Sequence, residues 1–213
     1  MTTFSAEPIY VINYAKIAAR EGNVDRLGRE DLDERTFASA AGAGQIEALQ
    51  YMYDHECPQD AWACVFAARG GHFEALKWLR EHNAPWDAWT CWFAAKRKDV
   101  PMVEWLCEHN APLDVSVFHI AAEIGNIKIM ELLAGGNCPQ DAWTCASAAK
   151  GGHLTALQWL IEHGCPWDEW TSIYAYKYNK HDIYKWCAAN GQTGAYKLVI
   201  SGSMSEHAVF RCF

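Results

Sequence analysis

Positive charge is in short supply: 18 Lys and Arg stand against 26 Asp and Glu, leaving a net charge of −8. Phosphate contacts need clustered Lys and Arg, so the balance argues against a dedicated nucleic-acid binder. Long apolar runs are missing as well, and no stretch reaches the length of a membrane span, so no membrane insertion is expected. The opening MTTFSAEPIYVINYAKIAAR lacks a basic segment followed by an apolar core, so no signal peptide is expected. Zinc-type ligand spacings are absent, the nearest pairs being His55-x-Cys57 and His163-x-Cys165. There is no glycine-rich phosphate loop and no serine nucleophile elbow. Nine cysteines are an odd number for a disulfide framework in a chain of this length. They read as free thiols in a reducing intracellular compartment, the cytoplasm being expected.

What the chain does have is a 51% apolar composition, too apolar for a disordered protein, and eleven tryptophans at regular positions. The regularity is a period of 27 residues without insertion. CPQDAWACVFAARGGHFEALKWLREHN fills 57–83 and APWDAWTCWFAAKRKDVPMVEWLCEHN fills 84–110. APLDVSVFHIAAEIGNIKIMELLAGGN follows at 111–137, CPQDAWTCASAAKGGHLTALQWLIEHG at 138–164, and CPWDEWTSIYAYKYNKHDIYKWCAANG at 165–191. A divergent copy, EDLDERTFASAAGAGQIEALQYMYDHE, occupies 30–56, and the truncated YAKIAAREGNVDRLG precedes it. The organisation read from this is a flexible N-terminus at 1–8 and a repeat array at 9–191. The array comprises an N-terminal cap at 9–29 and six repeats. Residues 192–213 form a tail that either caps the last repeat or binds a partner.

Each unit reads as two helices. Aspartate recurs at 33, 60, 87, 114, 141 and 168 just before a helix-like run, where its carboxylate suits an N-cap. Proline stands two residues earlier in five copies and stops the preceding helix. The first helix ends near an Ala-Ala pair (67–68, 94–95, 121–122, 148–149), small enough for close helix contact. A turn with glycine at 44, 71, 125 and 152 follows. The second helix then places apolar residues at 73, 76, 78 and 79, or 154, 157, 159 and 160, on one face. Gly or Asn at 83, 110, 137, 164 and 191 closes the unit, where a left-handed cap is wanted.

SVFHIAAEIGNIKIMELLAGG (116–136) resembles the ankyrin unit, whose signature is T-P-L-H-x-A-A followed by G-H-L and an apolar helix. Ser116, Val117, Phe118 and His119 stand at the T-P-L-H places; Ala121, Ala122, Gly125 and Asn126 continue the match. AARGGHFEALKWL and AAKGGHLTALQWL fit the second half. The resemblance covers roughly residues 9–191. It implies an all-α, ankyrin-type solenoid of stacked helix-turn-helix repeats serving protein recognition. The family's repeat is about 33 residues, so about six are missing between one unit's second helix and the next unit's first. A short loop with little or no strand is expected where the family has a β-hairpin finger.

Several residue types look like chemistry and read better as architecture. Cys57, Cys138 and Cys165 sit in the inter-repeat loop and Cys64, Cys91 and Cys145 in first helices. Ala84, Ala111 and Phe118 replace them in sister copies, which points to a small apolar slot rather than a metal site. His72 and His153 stand beside the turn glycines; His55, His82, His109 and His163 end second helices, where they can bond free carbonyls. Trp78, Trp105, Trp159 and Trp186 lie in second helices, with core packing as the default.

Another set, Trp62, Trp89, Trp143 and Trp170, opens the first helices, with Ser116 as the gap. The preferred reading has each ring covering the inter-repeat core in place of the lost hairpin. The alternative is an aromatic contact ladder, since Trp dominates interface hot spots. Arg69, Lys96, Lys150 and Lys177 follow the first-helix small-residue ends, broken by Glu123, at a position exposed on the concave side in the resembled family. Asp54, Glu81, Glu108 and Glu162 gather near second-helix ends. The resulting expectation is a mildly basic inner face and an acidic outer one.

These observations point to a non-enzymatic scaffold or adaptor that binds a protein partner on its concave face and uses no catalytic residue, cofactor or metal. Trp62, Trp89, Trp143, Trp170, Arg69, Lys96, Lys150 and Lys177 are the candidate contact residues, and a monomer is expected over an oligomer. The rival readings are a structural subunit of a larger assembly and an enzyme using a Cys or His in the tail.

Overall fold

The computed structural model describes residues 14–27 and 32–192. These contain thirteen α-helices, one 3₁₀ turn and no strand, the architecture of an all-α helical-repeat solenoid. The loop that replaces a hairpin finger is short throughout. The N-terminal segment 1–8 and the tail after Gln192 lie outside the described residues.

The described chain forms two compact units that part between Trp86 and Asp87. Unit 1 holds α1 (Tyr14–Glu21), the 3₁₀ turn (Val24–Arg26), α2 (Glu34–Ala43), α3 (Ile46–Asp54), α4 (Ala61–Gly70) and α5 (Phe73–Glu81). Unit 2 holds α6 (Ala88–Lys96), α7 (Val100–Glu108), α8 (Val115–Glu123), α9 (Ile127–Gly135), α10 (Ala142–Gly151), α11 (Leu154–Glu162), α12 (Glu169–Lys177) and α13 (His181–Ala189).

All six repeated aspartates cap a first helix. Their Oδ1 atoms accept from the backbone N–H of Thr36 (2.7 Å), Trp62 (3.0 Å), Trp89 (3.0 Å), Ser116 (2.9 Å), Thr144 (3.1 Å) and Trp170 (3.0 Å). Each satisfies one of the donors a helix start leaves orphaned. The closing positions are left-handed as the Gly and Asn pattern requires, with φ near 60° at Asn83, Asn110 and Asn137 and near 80° at Gly164 and Gly191. Glu56 takes the same conformation, φ 57°, with no help from its side chain.

First helices pack side by side, α2 between α1 and α4 in unit 1, and α6, α8, α10 and α12 in succession in unit 2. The Ala-Ala pairs at 67–68, 94–95, 121–122 and 148–149 are fully buried. Approach is closest at the helix ends, where a methyl group added to Gly151 would sit 2.0 Å from the Glu123 carbonyl oxygen. Glycine is therefore required there by contact rather than by its dihedral angles.

Second helices bury the same three positions in every full repeat before the last: Ala48, Leu49 and Met52; Ala75, Leu76 and Leu79; Met102, Val103 and Leu106; Ile129, Met130 and Leu133; Ala156, Leu157 and Leu160. Burying each large side chain contributes about 1.5–3 kcal/mol. Trp78, Trp105 and Trp159, expected in the core, are only half-buried. Each stacks instead on the histidine one turn later, with ring centroids 3.8, 4.2 and 4.0 Å apart. That histidine's Nδ1 donates back to the tryptophan's own carbonyl at 2.7–2.8 Å. A ring and a helix cap thus fix one another at the edge of the core.

Candidate partner-binding surface

The cysteines are architectural. Cys57, Cys138 and Cys165 are buried, and each Sγ donates to the carbonyl of the preceding repeat's capping aspartate: Asp33 (3.5 Å), Asp114 (3.2 Å) and Asp141 (3.5 Å). Ala84 and Ala111 fill the same slot in sister repeats and are equally buried. The eight cysteines among the described residues are free thiols. Burial, with nearby carboxylates, pushes Cys57 up to about 11 and Cys138 up to about 12, so both stay protonated. Among the described residues no three His, Cys, Asp or Glu side chains gather as a metal ion would need.

In unit 1, Trp62 is 52% exposed and leans on Phe66, one turn on, at 5.6 Å. Arg69, exposed, ends the same helix. In unit 2, Trp89 and Trp143 are 49% and 43% exposed. The three rings stand on the first turns of their helices with about half of their surface exposed, while the buried positions of those helices are filled by Ala, Cys, Val and Thr. Trp170 is half-buried and stacks on Trp143 at 5.6 Å with 26° between planes. Tyr174 meets Trp143 edge-on at 5.5 Å, and Tyr178 lies 5.8 Å beyond it.

The basic positions are drawn into this aromatic surface. Lys96 Nζ stands 4.7 Å over the Trp92 ring, and Lys177 Nζ 5.8 and 5.7 Å over Tyr174 and Tyr178. Lys150 pairs with Glu123 at 2.9 Å. Hydrogen bonding to Glu123 raises the lysine's pKa from its ordinary value, against the opposing effect of burial. The residue that breaks the basic row thus neutralises its neighbour. Another inter-repeat contact runs from His119 Nε2 to Asp141 Oδ1, 2.6 Å, tying α8 to the cap of α10. Phe66, Trp92 and Tyr178 escape the sequence reading. Their signal was legible, since Trp62–Phe66, Trp89–Trp92 and Tyr174–Tyr178 are aromatic pairs three or four residues apart.

Helix pairs with a capping aspartate, an Ala-Ala first helix, a turn glycine and a fixed second-helix core define the repeat, and residues 62–106 match the family model described as ankyrin repeats (many copies). Residues 62–106 are thus similar to ankyrin repeats. No curated protein matches the chain. Ankyrin repeats are generally protein-interaction modules and typically not enzymes. No helix among the described residues is long and apolar enough to cross a membrane.

Proposed function

We propose that the chain is an array of ankyrin-type repeats acting as a non-enzymatic adaptor or scaffold, which recognises a protein partner through its first-helix surface, the concave side in ankyrin arrays. The observation that carries the reading is the exposure of Trp62, Trp89 and Trp143 on the opening turns of first helices. Large aromatic rings left in solvent are the side chains that dominate interface hot spots. Trp170, beneath Trp143, stiffens that platform. Arg69, Lys96 and Lys177 supply positive charge at the other end of the same helices and favour an acidic partner surface, Lys150 being paired with Glu123. Each unit carries its own share of these residues. Protonated, buried thiols are consistent with life in a reducing cytoplasm.

The test is affinity capture with the full chain and with a Trp62→Arg, Trp89→Arg, Trp143→Arg variant, read by mass spectrometry. Proteins retained by the native chain and lost by the variant, with melting unchanged, support the reading. An identical captured set refutes it. Partners that co-purify in fixed stoichiometry and cannot be stripped without unfolding the chain favour the structural-subunit alternative.

A further inference from the structure

In unit 1 the residue after the paired alanines alternates in a way it does nowhere else. The three successive first helices read Ala18-Ala19-Arg20, Ala40-Ala41-Gly42 and Ala67-Ala68-Arg69. Gly42 is helical, so no positive φ demands it, and a helical glycine costs about 1 kcal/mol relative to alanine. What it gains is space. A methyl group there would press on Phe66 Cβ at 3.1 Å, and a longer side chain would fill the gap between the two arginines.

That gap is a hollow of about 420 Å³ lined by Arg20, Ser39, Gly42, Phe66, Arg69 and Gly70. Among the described residues no carboxylate lines it, in a chain whose net charge is −8. A second hollow of about 350 Å³ shares Ser39 and Phe66 with the first and continues past Ala38 to the exposed Trp62. Its acidic members are Glu34 and Asp60, of which Asp60 is occupied in capping the N–H of Trp62. The two hollows are therefore one groove, with Arg20 and Arg69 at one end, Phe66 shared between the two, and Trp62 at the other end beside the mixed charges of Lys16, Arg35, Glu34 and Asp60. Each is of a size that takes one or two side chains.

We infer that this groove binds a short segment of a partner protein in which an Asp or Glu side chain stands within a few residues of an apolar one. The carboxylate docks between Arg20 and Arg69, whose planar forks match carboxylate geometry. The apolar side chain lies against Phe66 and Trp62. The arginine pair at one end and the Trp62 ring at the other fix the direction of the segment, and glycine at position 42 admits its backbone. This inference rests on the reading of the first-helix surface as the recognition face and names the chemistry it recognises in unit 1.

The experiment is selection of phage-displayed random heptapeptides on the intact chain, followed by titration of the leading synthetic peptide into native, Arg20→Glu, Arg69→Glu and Arg69→Lys proteins. The expected peptides carry an acidic residue within two positions of an apolar one. Affinity falls roughly ten- to hundredfold in each glutamate variant, in proportion to a lost charge-assisted contact, and the lysine variant recovers part of it. Added salt weakens binding to the native chain. Circular dichroism melts of the variants match the native protein. Failure to select peptides, selected peptides without Asp or Glu, or undiminished binding to both glutamate variants overturns the inference. Peptides lost on Trp143→Arg but kept by Arg20→Glu would overturn it while leaving the wider recognition reading intact. Self-association abolished by Arg20→Glu would assign the groove to a second copy of the chain instead.

Discussion

Glu56→Gly should make the protein more stable, although it deletes a whole side chain. Glu56 follows α3 with φ 57°, at the position where its five counterparts are Asn or Gly. An L-residue with a Cβ pays about 1–2 kcal/mol in that region, which glycine does not. The carboxylate also sits past the C-terminal end of a helix, where the dipole disfavours negative charge by a further 0.3–1 kcal/mol or so. Against this stands the greater unfolded-state freedom of glycine, about 0.5–1 kcal/mol. The balance is a gain of about 1 kcal/mol, or a rise in Tm of roughly 2–4 °C for a chain of this size. Glu56 is exposed, and the local backbone bonds, Glu56 N–H to Tyr53 O and Cys57 N–H to Met52 O, both 3.0 Å, survive the change. Calorimetry and urea titration give the global effect, and slower amide exchange at Cys57 gives the local one. Glu56→Asn should gain less than glycine but still exceed the native chain. A glycine variant that melts lower than the native protein would refute the strain argument.

Gly151→Ala should cost about 1–3 kcal/mol, because its methyl meets the Glu123 carbonyl at 2.0 Å and only backbone movement relieves it. Gly135→Ala, with nothing within 4 Å, should be neutral or stabilising by up to about 1 kcal/mol, and equal effects at the two sites would remove the contact argument. Iodoacetamide at mildly alkaline pH should modify Cys107 first among the eight described cysteines. It is half-buried and its pKa is lowered by the Cys91 thiol, whereas burial holds Cys57, Cys138 and Cys187 at about 11, 12 and 11; equal labelling of Cys57 would contradict this. Asp33 has a folded pKa below its ordinary 3.8: burial works to raise it, but hydrogen bonds from Thr36 and the charges of Lys16 and Arg35 prevail. Its contribution is therefore complete above the ordinary value and lost as pH falls through the folded one. Asp33→Asn should flatten that acid limb of stability, and an unchanged limb would show that the cap does not report there.

The period, the six aspartate caps and the left-handed closing residues were legible because each depends on backbone geometry within a few residues. The same holds for the thiol slot, where Ala84 and Ala111 stand in for cysteine. The tryptophans were harder. Helical spacing identifies a face but not how far a neighbour covers it, so Trp78 and Trp159 read as core when they stack on His82 and His163 at its margin. Likewise Trp62, Trp89 and Trp143 read as cover for a missing hairpin, and spacing alone could not show that about half of each ring stays exposed. The Glu123–Lys150 pair spans 27 residues and is exactly one period long, yet in the sequence Glu123 registers only as an interruption. Partner chemistry was least legible, because the groove in unit 1 depends on a glycine whose absence of side chain matters only beside two arginines from other helices.

The thiol slot, like the Glu123–Lys150 and His119–Asp141 contacts, refers to a residue in the adjoining block. The thiol of Cys138 reaches back to Asp114, and that of Cys165 to Asp141, 24 residues in each case. Excise residues 138–164 and Asn137 is followed by Cys165 and Pro166, the thiol arriving opposite Asp114 as Cys138 did, with Asp168 in place to start the next helix. The chain is written in interchangeable words of one length. Its reach along a partner can therefore lengthen or shorten by whole words during descent, whereas an insertion of any other length strands a cap, a closing turn and a slot together.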